Sequence, residues 1–211
     1  MTSEGEIVGI IPAAGLSTRI GGSPKPLLST GEGTFLERTV RALSDGGVHR
    51  VHVGVRHASG PVSAAARRLG ARVHVPDEVD DGPIATVRTV LRTLHAEGAA
   101  PRAILLLPVD MPQVSAPVVR TLLDHWRRSE APLALPASGG RTGHPALLSG
   151  PLLDELLEPD LAEGARTVVD RHRARALVVD VEDPGILVDI DTLPEYRRCF
   201  PDAYRKRFQK W

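Results

Sequence analysis

The sequence predicts an α/β fold in which a largely parallel sheet carries helices on both faces. Short β-branched or leucine-rich runs recur along the chain, stretches with helical spacing separate several of them, and those stretches bring their own start and stop residues. Parallel neighbours cannot be joined by a tight turn, and a helix supplies the crossover they need.

The candidate strands are Ile7–Ile11, Val51–Val55, Arg72–Val75, Ala103–Leu107, Leu133–Leu135, Ala146–Leu148, Leu177–Val181 and Ile186–Ile190. The first helix is announced by Thr34 and Glu37, spaced as a capping box ahead of Phe35, Leu36, Val40 and Leu43, and Gly46-Gly47 stop it. A second runs from Pro83 to Glu97, with Pro83 in the first turn, Ile84, Val87, Leu91 and Leu94 on one face, and Gly98 closing it. A third opens at Ser115-Ala116-Pro117 and carries Val118, Val119, Leu122, Leu123 and Trp126. From Leu133 onward the runs are shorter and broken by glycine and proline, so they are expected to add an antiparallel flap or edge strands. The tail from Tyr204 to Trp211 holds Arg205, Lys206, Arg207 and Lys210, and reads as a solvated terminal helix.

Composition excludes several classes of protein. The chain has 211 residues, enough to bury a full core, and neither a repeat nor a Pro/Gly/Ser-rich linker divides it, so one domain over 1–211 is expected. Lysine plus arginine and aspartate plus glutamate balance at 26 each, so no overall field draws the protein to nucleic acid or an anionic membrane. Cys199 is the only cysteine, which excludes an internal disulfide and reads as a partly buried small hydrophobe in a reducing compartment. The apolar run Ile7 to Ala14 follows acidic residues and is too short for a signal peptide or a membrane span, so a soluble, cytoplasmic protein is expected.

In an open parallel sheet ligands bind beyond the carboxyl ends of strands, which directs attention to the turn after the first one. There Pro12 to Lys25 hold Gly15, Gly21 and Gly22 among small Ala13, Ala14, Ser17 and Thr18, so successive N–H groups can approach an anion unobstructed. Arg19 and Lys25 add a forked cation and a point charge, a pairing suited to a polyphosphate. The loop is neither the G-x-x-x-x-G-K-S/T phosphate loop nor the G-x-G-x-x-G dinucleotide fingerprint. A dinucleotide-dependent oxidoreductase is therefore disfavoured.

With Ala13, Ala14, Gly15, Arg19, Gly21, Pro24 and Lys25 in these positions, the segment resembles the signature of the MobA/MocA-like nucleotidyltransferases, and most closely that of molybdenum cofactor cytidylyltransferases. That family activates sugars, isoprenoid precursors and the molybdenum cofactor. Five further ordered segments carry the resemblance: Asp110-Met111-Pro112, Arg141 to Leu148 with its Gly143-His144-Pro145, Gly164-Ala165-Arg166, Asp183 to Leu187, and Asp189-Ile190-Asp191-Thr192. Val109 stands where the family has glycine, which predicts a narrower approach to the acceptor.

The resemblance implies a single-domain, Rossmann-like, three-layer α/β/α nucleotidyltransferase fold with a mostly parallel sheet. Residues 1–130 would form its nucleotide-binding part, and 131–211 its acceptor-binding and metal-completing part. It also implies the reaction, attack of an acceptor phosphate or phosphonate oxygen on the α-phosphate of a nucleoside triphosphate with release of pyrophosphate. Magnesium would neutralise the triphosphate, and it takes oxygen ligands. Asp110 stands just past the carboxyl end of the strand Ala103–Leu107, and period-two alternation sends Asp189 and Asp191 to one side with Ile190 on the other. Asp110, Asp189 and Asp191 are the candidate metal ligands, with a helix cap before Pro194 as the lesser reading of Asp191.

Lys25 is then expected at the α-phosphate and Arg19 on the leaving phosphates, which with Asp110 and Asp191 complete the catalytic set. The nucleotide site is expected to comprise Pro12, Ala13, Ala14, Gly15, Leu16, Ser17, Thr18, Arg19, Gly21 and Lys25, together with Asp81, Gly82 and Pro83. Pro83 also reads simply as the first helical residue. Arg141, His144 and Arg166 are the acceptor-side candidates, and His144 alone reads equally as a locally bonded histidine. Among relatives Pro12-Ala13-Ala14-Gly15 goes with CTP, because a methyl at Ala14 leaves less room for a purine. The alternatives are a GTP-using guanylyltransferase of the same fold and a non-catalytic nucleotide-binding subunit. The expected partners are CTP and a small phosphorylated or phosphonate acceptor, with no nucleic acid and no membrane, in a monomer or homodimer.

Overall fold

A computed structural model describes residues 6–15, 20, 24–77 and 82–209. Leu16, Ser17, Thr18, Arg19, Gly21 and Asp81, which the sequence places at the nucleotide site, lie outside the described residues.

Within them the chain forms one eight-stranded sheet with helices on both faces. Strands β1 (Ile7–Pro12), β2 (Arg50–Gly54), β3 (Arg72–His74) and β4 (Ala103–Leu106) alternate with α1 (Phe35–Asp45), α2 (Pro61–Arg68) and α3 (Pro83–Ala96), and α4 (Ala116–Ser129) follows β4. β5 (Leu133–Ser138), β6 (Arg141–Thr142) and β7 (Ala146–Ser149) come next. The remaining elements are α5 (Leu152–Glu155), α6 (Ala165–His172), β8 (Leu177–Asp180), α7 (Leu193–Cys199) and α8 (Pro201–Phe208). The spatial order is β3-β2-β1-β4-β7-β5-β6, with β8 also on β5. β1, β2, β3 and β4 pair in parallel, β8 runs parallel to β5, and β7 is antiparallel to both β4 and β5. The expected antiparallel flap is thus β6, and β7 is an antiparallel strand inserted inside the sheet rather than at its edge. Gly139 and Gly140, at φ 57° and 76°, make the two-residue turn that folds β6 back on β5.

The register brings the carboxyl ends of the central strands to one edge. Pro12 lies opposite Gly54 and Ile10 opposite Leu106, and the Leu107 N–H still donates to the Ile10 carbonyl at 3.0 Å. The glycine loop after β1 and the Asp110 segment after β4 therefore leave the sheet side by side.

Two apolar clusters complete the layers. On one face α1, α2 and α4 bury Leu36, Val40, Leu43, Ala66, Val119, Leu122 and Trp126 against β1 and β2. On the other α3, α5 and α6 bury Val87, Leu91, Leu94, Leu152 and Val168. The periodicity of α3 and α4 anticipated these contacts. The capping box at α1 is present: Thr34 Oγ1 accepts from the Glu37 N–H at 3.2 Å, and Glu37 Oε2 accepts from the Thr34 N–H at 2.6 Å.

One run departs from the expected pattern. Ile186–Ile190 is not a strand, because Pro184 and Gly185 begin a 3-10 turn over Pro184–Leu187, whose first N–H groups are capped by Asp183 accepting from Gly185. The chain after it is extended, yet its Ile190 N–H donates to the Asp110 carbonyl at 2.9 Å instead of joining a ladder. Helix α8 exposes Arg205, Lys206 and Arg207, as a solvated terminal helix should. Its Tyr204 and Phe208 join Tyr196, Phe200 and Phe35 in an aromatic cluster that pins α7 and α8 to α1. Cys199 is a free, half-buried thiol packed on the core. Among the described residues no helix is long and apolar enough to cross a membrane.

Beneath α3, His52 of β2 and His74 of β3 share a hydrogen bond, Nδ1 to Nε2, at 2.8 Å. One ring must accept, so at least that ring is neutral. Burial pushes both pKa values down from 6.5 to about 4, assisted by Arg72 and, for His52, by the partner ring and Arg50, while Glu97 opposes. A depressed histidine pKa means that the unfolded chain binds the extra protons first. The stabilisation is therefore complete above pH ~6.5 and is lost as pH falls toward ~4, by about 3 kcal/mol for one ring. Thermal melts across that window are expected to show falling stability in the native protein, and a flatter profile in the His52→Val/His74→Val double variant, which removes both partners together.

Candidate functional site

The strand ends bring three chemistry-bearing side chains together. Lys25 opens a short 3-10 turn at Lys25–Leu27, directly after Pro24, and its ammonium lies 2.5 Å from Asp191 Oδ1 and 3.4 Å from Asp110 Oδ2. Residues 85 and 166 positions apart in the chain thus meet at one point. The three side chains are 13%, 28% and 34% exposed for Lys25, Asp110 and Asp191, so the group is partly withdrawn from water but open to a ligand. Burial raises the Asp110 carboxyl above the usual carboxylate range; Lys25 opposes that shift and Asp191 adds to it.

The backbone holds these residues firmly. Asp110 sits in a tight turn that the Met111 N–H closes onto the Pro108 carbonyl, the Val114 N–H closes the next onto Met111, and Arg38 Nε of α1 donates to the Pro112 carbonyl at 2.8 Å. On the other side Thr192, not Asp191, caps α7: its hydroxyl accepts from the Glu195 N–H while Glu195 accepts from Thr192. Thr192 and Glu195 have the same S/T-x-x-E spacing as Thr34 and Glu37, a signal the sequence reading passed over. Freed from the cap, the Asp191 side chain faces Lys25. Ile190 is fully buried, as alternation predicts, but Asp189 is exposed and does not join the Lys25 group. Its charge acts on His144 instead.

Two carboxylates converging on one cation suit a hard divalent ion completed by phosphate oxygens and water. Among the described residues no three acidic, histidine or cysteine side chains gather as a metal site. The two carboxylates that meet at Lys25 are Asp110 and Asp191, and the third candidate, Asp189, is set apart. Of the nucleotide-side candidates, Ala13 and Ala14 are buried at the base of the loop, Gly15 is exposed, and Gly82 and Pro83 start α3.

Beside this group lies a cavity of about 560 Å³, walled by Pro83 and Ile84 of α3, Leu106 and Pro108 after β4, Thr142 to His144, and the start of α6. Arg88 of α3 ties down the chain ahead of Leu161, which lines the cavity, by donating to the carbonyls of Leu156, Glu158 and Pro159. Of the acceptor-side candidates, His144 and Arg166 line the cavity; Arg141 is exposed and does not. His144 is buried enough to hold its pKa below the ordinary histidine value, so its ring is neutral at pH 7, and Nδ1 lies 3.4 Å from the Leu106 carbonyl. The wall at Gly143 leaves no room: a Cβ there would stand 2.1 Å from the Ile186 carbonyl oxygen. Gly143→Ala is expected to destabilise the protein by about 1–3 kcal/mol, read as a lower melting temperature, because backbone rather than a flexible side chain blocks the methyl. Val109 does not narrow the cavity, since its side chain is buried in the core against the opposite face of the sheet.

Two arginines were not read from the sequence. Arg56 follows β2 at the same sheet edge, and its Nε donates to the Ala14 carbonyl at 3.1 Å beside a smaller cavity of about 240 Å³. The strand-end rule that picked out Asp110 would have found it. Arg173 lines the larger cavity from a 3-10 turn after α6 and carries no sequence signal.

The chain has known relatives. The profile of the MobA-like NTP transferase domain matches residues 9–176. The chain is 30% identical over 188 residues to a 2-C-methyl-D-erythritol 4-phosphate cytidylyltransferase of Saccharopolyspora erythraea, spanning 87% of this chain and 76% of that protein. It is also 30% identical over 185 residues to a molybdenum cofactor guanylyltransferase of Bradyrhizobium sp., spanning 85% and 83%. Among solved structures, Rv0371c of Mycobacterium tuberculosis H37Rv matches at a TM-score of 0.74 and 27% identity over 95% of this chain and 100% of that one. A further structure of Rv0371c, a complex with manganese, matches at a TM-score of 0.70 and 26% identity over 93% and 99%.

Proposed function

The chain belongs to the MobA-like NTP transferase family, and from that premise we propose that it transfers CMP from CTP to a small phosphate- or phosphonate-bearing acceptor, releasing pyrophosphate, with magnesium. The observation that carries this reading is the Lys25 ammonium held between Asp110 and Asp191 at the edge where the glycine loop leaves the sheet. Residues 1–130 supply the nucleotide half of the site and 131–211 the acceptor half and Asp191.

An acceptor phosphate oxygen attacks the α-phosphorus, the bond to the bridging oxygen of the β-phosphate breaks, and pyrophosphate leaves with that electron pair. Lys25 neutralises charge on the α-phosphate, and Arg19 binds the leaving phosphates. Pro12 to Gly15 and the loop through Gly21 cradle the triphosphate with their N–H groups, while Asp81, Gly82 and Pro83 contact the nucleoside. Asp110 and Asp191 would hold the magnesium ion, with Asp189 standing apart from the pair. When bound, that ion neutralises the triphosphate and the developing pyrophosphate charge. The acceptor enters the 560 Å³ cavity past His144 and Arg166, with Arg141 at the outer surface. A phosphate acceptor is already ionised at neutral pH, so no strong base is required.

Pro12-Ala13-Ala14-Gly15 favours CTP. GTP is the second reading, because one relative at 30% identity is a guanylyltransferase. Calorimetric titration of the protein with each of the four nucleoside triphosphates and magnesium separates them. CTP is expected to bind at least tenfold tighter than the others; tightest binding of GTP would transfer the assignment to that nucleotide, and no binding of any would remove it.

A further inference from the structure

The large cavity has a chemistry that limits what enters it. Its floor is Ile84, Leu106, Leu135, Ala146, Leu161 and Val169, none more than 9% exposed. Three N–H groups of its wall are already engaged: Gly143 donates to Pro136 at 2.9 Å, His144 to Ile186 at 3.0 Å and Gly164 to Leu161 at 2.9 Å. A hydroxyl carried onto this floor gives up water and meets carbon, so a polyol chain is poorly received. A ring or branched hydrocarbon body gains instead, in proportion to the area it buries.

At the rim Arg173 is set for an anion. Its Nε and Nη2 are held by Asp170 Oδ1 at 3.1 and 2.8 Å, which fixes the guanidinium plane. Its Nη1 donates to Thr142 Oγ1 at 2.7 Å, so the Thr142 hydroxyl proton points away from it and is available to an incoming oxygen. Arg166 shares Asp170 with it at 3.4 Å, is also paired with Glu163 at 3.3 Å, and has its side chain 72% exposed against 48% for Arg173. Arg173 and Thr142 are thus the organised donor pair of the cavity.

Resting on the transfer reading above, we propose that the acceptor is a phosphate ester of a ring-bearing apolar body rather than of a polyol, with the body on this floor and its phosphate met by Arg173 and Thr142. These two residues then determine acceptor specificity.

The test is calorimetric binding to the full chain, without nucleotide, of three probes: 1-naphthyl phosphate, glycerol 3-phosphate and 1-naphthol. The naphthyl ester is expected to bind at least tenfold tighter than either of the others. Arg173→Ala is expected to remove most of that advantage over naphthol, and Val169→Asp most of that over glycerol 3-phosphate, with circular dichroism confirming that both variants fold. Thr142→Val, the milder change, is expected to weaken the ester several-fold. Equal or tighter binding of glycerol 3-phosphate overturns the proposal, as does an Arg173→Ala variant that binds the naphthyl ester like the native protein. Because no turnover is measured, a protein that binds the ester as expected but releases no pyrophosphate from any nucleotide refutes the transfer reading and leaves the cavity's preference standing.

Discussion

Lys25→Ala is expected to slow nucleotidyl transfer by about 10²–10³-fold, the range seen when a group aimed at developing transition-state charge is removed. Lys25 lies within 3.4 Å of both site carboxylates. Without it, Asp110 and Asp191 lose the ammonium held between them, and an incoming triphosphate adds more negative charge. The loss should fall on the chemical step, measured as single-turnover pyrophosphate release at saturating nucleotide. Lys25→Arg is expected to recover little, because the forked guanidinium is broader than an ammonium and cannot occupy the same narrow gap between the carboxylates. Full turnover in the alanine variant would contradict the proposed role.

Asp110→Ala is expected to reduce transfer to a similar extent, about 10²–10³-fold, and to raise the magnesium concentration needed for half-maximal rate. Stability should respond differently. Burial already disfavours the ionised form of Asp110, and Asp191 still holds Lys25 at 2.5 Å when Asp110 is removed. The nucleotide-free variant should therefore melt within a few degrees of the native protein, equivalent to about 1 kcal/mol or less. A variant that loses activity only because it unfolds would show the opposite pattern. Unchanged rate with magnesium limiting would remove Asp110 from the site.

Much of this was legible in the chain because local chemistry and tertiary demand coincide. Thr34 and Glu37 cap α1 in the fold as they do on paper, and the apolar faces of α3 and α4 are the faces that are buried. Asp110 was found because a residue just past the end of a central strand has few places to be except the ligand edge. Where sequence reading went astray, a longer-range contact had displaced the local pattern. Ile186 to Ile190 alternate like a strand, but Asp183, Pro184 and Gly185 start a turn first, and Gly185 packs so tightly that a Cβ would come within 2.7 Å of the Gln113 carbonyl oxygen. The place of β7 between β4 and β5 depends on pairing that no single segment encodes. Asp189 shares its alternation with Asp191, yet only Asp191 meets Lys25, because the Ile190 N–H is tied to the Asp110 carbonyl at that point. Arg173 was invisible for the same reason: its importance comes from Thr142, 31 positions earlier.

The fate of the two ends of the triphosphate tests the central claim most directly. The protein is incubated with magnesium, a phosphate-bearing acceptor and CTP labelled either at the α- or at the γ-phosphorus, and the products are separated. The account predicts that the α label is transferred to the acceptor and that the γ label leaves in pyrophosphate, with both outcomes lost in Lys25→Ala. Recovery of the γ label on the acceptor, or as free phosphate with the α label retained in CDP, would contradict it.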